Sequence, residues 1–216
     1  MHTENEKFRG GRQTGMRVAA VVVLLTALAA CSLPLPQAQS DPTKYFVLST
    51  ATTEASAPTA AAPVIRLRPV DLASYLRGRP MVVRRGENEI EFRDFARWGE
   101  PLEQGIARVL QQELLARGAA SAVQVGSLRP TEVADARYEL TVRVLACEGL
   151  ANGGIAFHAV WELATSGDTP KVVGHGDYRA ANVRWSSHNE ASLAAALSRA
   201  VAGLAAEIAS AVPKSD

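Results

Sequence analysis

The chain has 216 residues, 47% of them apolar and 21% charged, with a formal net charge of +1. Such a balance lacks the basic footprint of a nucleic-acid binder. Two cysteines, one of them spoken for below, leave no intramolecular disulfide.

Lys7, Arg9, Arg12 and Arg17 precede an uncharged apolar run over 18–30 that closes on Leu28-Ala29-Ala30-Cys31. A positive n-region, a short apolar h-region and small residues before a cysteine form a lipoprotein signal. Cleavage before Cys31 exposes a thiol that takes diacylglycerol and an amine that takes an acyl chain. A transmembrane helix is the competing reading, but thirteen residues fall short of the roughly 20 that span a bilayer. Pro34 and Pro36 also break a helix there. Met16-Arg17 followed by the same run is a complete signal, so Met16 is a second candidate start. Losing residues 1–30 removes four Lys/Arg and two Asp/Glu and turns the charge of +1 into −1. Ser32, in place of aspartate, is the pattern of Gram-negative lipoproteins sorted to the outer membrane, with the domain in the periplasm. The expected organisation is a signal over 1–30, a lipidated tether over 31–43 and one α/β domain over 44–216.

Residues 32–43 are rich in Pro and Gln without apolar period and read as the tether. Residues 44–50 have strand composition, and 51–63, rich in Ala, Thr and Pro, read as a loop. Ile65 and Leu67 alternate with Arg66 and Arg68 in a strand ended by Pro69, and 71–75 fits one helical turn. Strands at 81–84 and 89–92 flank a turn at 85–88. A helix over 100–117 carries the stripe Leu102, Ile106, Val109, Leu110 and Leu114 and stops at Gly118. A short strand is expected at 122–125.

Three strands with turns at 150–153 and 165–170 follow. Alternation places Leu140 opposite Leu163, Val142 opposite Trp161 and Ala146 opposite Phe157. It also places Leu163 opposite Val172 and Phe157 opposite Tyr178, with Gly174 making room for Trp161. A closing helix over 189–212 has the stripe Leu193, Leu197, Val201 (or Ala200), Leu204 and Ile208 and is expected to lie on the sheet. The fold class is α/β (α+β): a single domain with a mixed, largely antiparallel sheet packed by two main helices.

No catalytic constellation emerges. The glycines of Gly174-His175-Gly176 lie inside a strand, where a phosphate loop needs strand, glycines and then helix. His158, His175 and Asp177 could meet on one sheet face, as a metal trio or, more simply, a solvated polar surface. Ser186-Ser187-His188 reads as the cap region of the last helix. Cys147 reads as a buried, inert thiol. Arg84, Arg85, Glu87, Glu89, Glu91, Arg93, Asp94 and Arg97 form a mixed-charge stretch before Trp98. Trp beside Arg is the pairing of interface hot spots, so Arg84, Arg85, Arg97, Trp98 and Glu100 are the candidate partner or subunit contact.

Three segments carry a family resemblance: Pro69-Val70-Asp71-Leu72-Ala73-Ser74-Tyr75-Leu76, then Pro80-Met81-Val82-Val83-Arg84-Arg85, then Arg97-Trp98-Gly99-Glu100-Pro101-Leu102. They resemble the V-x-L-P-x-Y-L, P-x-I-V-x-R and W-[AG]-E-P-L patterns of the auxiliary lipoprotein of ABC-type transport systems, the PqiC-like family. The early aromatic strand Tyr45-Phe46-Val47-Leu48 also fits, and Ala73 departs from the pattern's proline. The resemblance implies a non-enzymatic component of an MCE-type lipid transport system. It would dock an MCE-domain protein, with its permease and ATPase, at the inner leaflet of the outer membrane, in some members as a homo-oligomeric ring. No metal, cofactor or nucleic acid is implied beyond the acyl groups on Cys31. Two other readings stay open: a lipid carrier with its own apolar cavity, and a hydrolase using His158, His175 or His188.

Overall fold

The computed structural model describes residues 40–51, 62–126 and 136–213. Cys31, the signal and most of the tether lie outside the described residues. Among those described, the elements in chain order are β1 (Lys44–Phe46), β2 (Val64–Leu67), β3 (Asp71–Leu72), a 3-10 turn (Ser74–Leu76), β4 (Pro80–Arg84), β5 (Ile90–Trp98) and α1 (Leu102–Ala116). Then come β6 (Ala122–Val125), β7 (Tyr138–Leu150), β8 (Ile155–Thr165), β9 (Val172–Arg179) and α2 (Glu190–Ala211).

The longest strand, β7, is the spine. One edge pairs antiparallel with β8 along almost its whole length, and β9 pairs antiparallel with the far edge of β8. The other edge is shared in turn by three short parallel partners: β2 at Tyr138, β3 at Arg143 and β4 at Gly149. Beyond this edge the sheet forks. β6 continues one branch parallel to β2. The other branch continues through β5, antiparallel to β4, and then β1, parallel to β5.

Both helices pack on one face of this sheet. The five stripe residues of α1 and the five of α2 are all buried, because period 3.6 puts them on one side of each helix. They meet Leu140, Val142, Val144, Phe157, Ala159, Trp161 and Leu163 from the alternate positions of β7 and β8. α2 lies over β8 and β9, and α1 lies beside α2 and against β6. Asn189 caps α2 by accepting the Ser192 N–H at 3.0 Å, and Gly118 (φ +67°) ends α1 in the left-handed region that favours glycine. The opposite face of the sheet is open and ion-paired: Arg66 with Glu139 at 2.7 Å, and Asp71 with Arg143 at 2.9 Å and Arg77 at 3.2 Å.

Four expectations need correction. The helical turn at 71–75 is a short strand on β7 followed by the 3-10 turn, because Ala73 N–H is taken by Val144 O at 3.0 Å. Ala73 holds φ −53°, an angle proline also adopts. The strand at 44–50 ends at Phe46. Residues 47–51 instead cross the helix pair as a strap: Arg108 donates to Leu48 O at 2.8 Å, Ser49 N–H donates to Ser198 Oγ at 3.0 Å and Ala51 N–H donates to Glu113 Oε1 at 2.7 Å. In the β7–β8 pair, Leu140 opposes Leu163 and Val142 opposes Trp161 as expected, but a bulge after Val144 makes Cys147, not Ala146, the partner of Phe157. In the β8–β9 pair the register differs by two residues: Leu163 opposes Gly174, Trp161 opposes Gly176 and Ala159 opposes Tyr178. A two-residue slip leaves every side chain on its own face, so alternation cannot detect it. Phe157 and Tyr178 still touch edge to face, with ring centroids 6.1 Å apart.

Candidate functional site

The five residues expected at an interface do not gather in one patch. Arg84 and Arg85 sit at the tip of the β4–β5 hairpin, while Arg97 opposes Pro80 at its far end. Trp98 is 3% exposed and belongs to the core. Its burial corrects the reading of the indole as a surface contact.

The Trp98–Leu102 motif is a joint between β5, α1 and β1. Trp98 N–H donates to Arg79 O at 2.7 Å and fixes the end of β5. Gly99 N–H donates to Phe46 O at 2.8 Å, and a Cβ on Gly99 would stand 3.2 Å from Val47 Cγ1. A side chain at this position would crowd β1, and Val47 would have to give by a few tenths of an ångström. Glu100 folds back over Gly105 and pairs with Arg108, whose guanidinium also holds Leu48 O. Pro101 takes the helix N-cap position and Leu102 enters the core. Glu100 is therefore engaged within the fold.

Arg84 meets the fully buried carboxylate of Glu148 on β7 and also holds Glu87 O at 2.9 Å. The Tyr75 phenol lies beside this pair. Burial, reinforced by the Glu148 charge, raises its pKa. These three residues lock the 3-10 turn and the hairpin onto the end of β7.

Arg85, Glu91, Arg93 and Glu190 form a charged chain from the hairpin to the first turn of α2. Arg93 bonds Glu190 at 2.7 Å and also pairs with Glu91, which Arg85 grips from the other side. The Arg85 hydrogen bond, with help from Arg93 and against burial, holds the Glu91 carboxyl below its ordinary 4.5. Burial pushes Glu190 up, but Arg93 and the residue's own N–H outweigh it and leave this carboxyl lowered too. Stability from a lowered carboxyl pKa is complete above the ordinary value and is lost as pH falls through the lowered one. Hydrogen-exchange protection in β5 and the first turn of α2 should therefore drop ahead of the β7–β8 core as pH is taken below 4.5. Arg93→Gln should weaken that region already at neutral pH. Equal acid loss in all elements would argue against this link.

His158 Nε2 lies 2.9 Å from Asp177 Oδ1, and Arg179 approaches the same oxygen at 3.2 Å. His175 opposes Glu162. The expected facing of His158 and Asp177 is thus a diagonal contact, with a guanidinium beside the carboxylate. No metal-holding group of His, Cys, Asp and Glu is present among the described residues. His188 occupies the left-handed region (φ 63°) in the capping turn, where Ser186 N–H donates to Ser192 Oγ at 2.8 Å. Cys147 is buried, and burial pushes its thiol pKa up, as an inert thiol requires. The depressions on the described surface include one of about 480 Å³ between Arg68, Glu139 and Glu162 and one of about 420 Å³ between Lys44, Arg93 and Glu190. Both are open to solvent and rimmed by charge.

A forked α/β sheet with helices on one face and ion pairs on the other defines a two-layer α/β module. The chain matches the ABC-type transport auxiliary lipoprotein component over residues 46–209 and belongs to that family. No curated protein matches it. Among solved structures it is similar to protein XCC0632 from Xanthomonas campestris, of family DUF330, with 18% identity, a TM-score of 0.60, and coverage of 76% of this chain and 92% of that one. An uncharacterized protein gives 18% identity, a TM-score of 0.58, and coverage of 79% and 99%. The PelC dodecamer protein from Paraburkholderia phytofirmans gives 14% identity, a TM-score of 0.42, and coverage of 75% and 95%. At 18% identity the likeness to the first two is one of fold.

Proposed function

We propose that this chain is an outer-membrane lipoprotein, acylated at Cys31, that docks an MCE-domain conduit and so completes a phospholipid path across the periplasm. The observation that carries the reading is the family match over 46–209 behind a lipoprotein signal ending at Cys31. The domain acts by binding, without catalysis. Lipid at Cys31 confines it to the inner leaflet and the tether sets its standoff. An MCE-domain protein with its permease and ATPase is the partner, and a homo-oligomeric ring would give a hollow conduit a matching seat. Of the residues expected at such contacts, Arg85 at the hairpin tip and Arg97 at its far end stay on the surface, and Arg85 is assigned to the partner or the neighbouring subunit.

The test is a pull-down from detergent-solubilised envelope with the lipidated protein tagged at its C-terminus. Recovery of an MCE-domain protein with its permease or ATPase supports the reading. Recovery of the protein alone, at monomer size, refutes the docking role and turns attention to a lipid carrier. Cys31→Ser should abolish transport while leaving the melting temperature of the domain unchanged. Full transport by the unlipidated protein would sink the anchor's role.

A further inference from the structure

Three of the large apolar side chains exposed on the described surface share one face. Tyr45 is 59% exposed, Val47 55% and Phe95 59%. Tyr45 lies level with Arg97 across the parallel β1–β5 ladder, so the two project on the same side. Phe95 precedes Arg97 by two residues, and the buried Ala96 and Trp98 between and after them fix the alternation. A Cβ on Gly99 would lie 3.2 Å from Val47 Cγ1 and 4.0 Å from Tyr45 Cβ, which puts Val47 beside Tyr45. This outward face is apolar at its centre. Exposed Arg97 stands on it, level with Tyr45.

Clustered exposed apolar groups mark a surface that is covered in use. Chain connectivity points to what covers this one. Twelve residues separate Cys31 from Lys44, so the face begins where the tether ends. That tether spans at most about 40 Å when fully extended. Residues at its end are held closer to the anchoring bilayer than any later part of the chain need be. A tether also turns surface contact into an intramolecular event, so a weak partition suffices. Aromatic rings at the headgroup level, flanked by Lys and Arg, are the side-chain chemistry of a membrane interface.

We propose that Tyr45, Val47 and Phe95 rest on the phospholipid surface to which the chain is anchored, with Arg97 meeting anionic headgroups. The inference rests on acylation at Cys31. It sets the orientation of the domain: the β1–β5 branch faces the membrane and the β7–β9 sheet stands away from it.

The test uses full-length lipidated protein in vesicles of phosphatidylethanolamine and phosphatidylglycerol. Phe95→Cys or, as control, Val173→Cys on β9 carries a nitroxide. Acylation blocks Cys31, and burial keeps Cys147 from reacting. The expected result is loss of collisions with a water-soluble nickel chelate at position 95, with oxygen collisions retained and position 173 open to nickel. Equal nickel access at both positions, on protein that floats with the vesicles, overturns the proposal. Shielding of position 95 from both reagents, in vesicles and in detergent alike, overturns it in favour of a second copy on this face. Protein that does not float with the vesicles removes the lipid anchor itself and this contact with it.

Discussion

Arg84→Ala should lower folding stability by about 3 kcal/mol, because it leaves a buried carboxylate without its cation. Glu148 is fully buried in β7, and its side chain meets the Arg84 guanidinium. Tyr75 is the other polar neighbour, and a phenol cannot neutralise a carboxylate. A loss of this size in a domain of this length lowers the melting temperature by roughly 6–12 °C. The double variant Arg84→Met, Glu148→Leu separates the pair's net contribution from the cost of orphaning one member. Replacing a whole buried ion pair by apolar groups of similar volume is often neutral. Recovery of most of the stability in the double variant is therefore expected. An Arg84→Ala protein that melts with the parent would show that water reaches Glu148 and would remove the argument.

Gly203→Ala should destabilise by about 2 kcal/mol, against the sign that helix propensity alone predicts. Alanine in the interior of an exposed helix is worth about 1 kcal/mol over glycine. Gly203, however, lies in α2 directly under the Tyr178 ring, where a Cβ would fall 2.0 Å from the hydroxyl and 3.0 Å from Cζ. Tyr178 cannot step aside freely, since its ring is set edge-on against Phe157. Overpacking of this kind costs roughly 1–3 kcal/mol. Tyr178→Phe removes the nearest atom, so adding Gly203→Ala to that background should cost less than half as much. Denaturant unfolding of the four proteins in this cycle decides the matter. If Gly203→Ala alone raises stability, α2 does not approach β9 as closely as the structure has it.

The same contact shows where sequence reasoning succeeds and where it stops. Both helices and the β7–β9 meander are legible because their apolar periods are long and unbroken. The need for a glycine beneath the Trp161 indole is legible too, but the glycine is Gly176, whose Cβ would lie 2.5 Å from both Trp161 Nε1 and Glu207 Oε1. Trp161 donates to that carboxylate at 2.8 Å, a bond between β8 and α2 that no local pattern announces. Choosing between Gly174 and Gly176 needs the register, and the register is fixed by bulges on the face the helices cover. The Trp98 motif fails for a different reason. Tryptophan beside arginine satisfies the composition of an interface and of a buried joint equally well. What separates them is the approach of β1 to Gly99, a contact across more than fifty residues of chain. Glu148 leaves a faint trace: unbroken alternation from Leu140 and Val142 would set its carboxylate in the core, and the bulge after Val144 returns it to the other face.

The strap over the helix pair has a mechanical consequence. Under the proposed anchoring at Cys31 and docking to a large assembly, the domain would come under tension whenever the two membranes move apart. That force enters the fold at Lys44 and runs along β1, so it loads the hydrogen bonds to β5 in shear before it can reach the sheet interior. Behind β1, the strap passes the load directly to the two helices through Arg108, Ser198 and Glu113. Tension is thereby shared between a strand edge and the helix layer, so β1 and the strap are expected to yield before the core of β7 and β8.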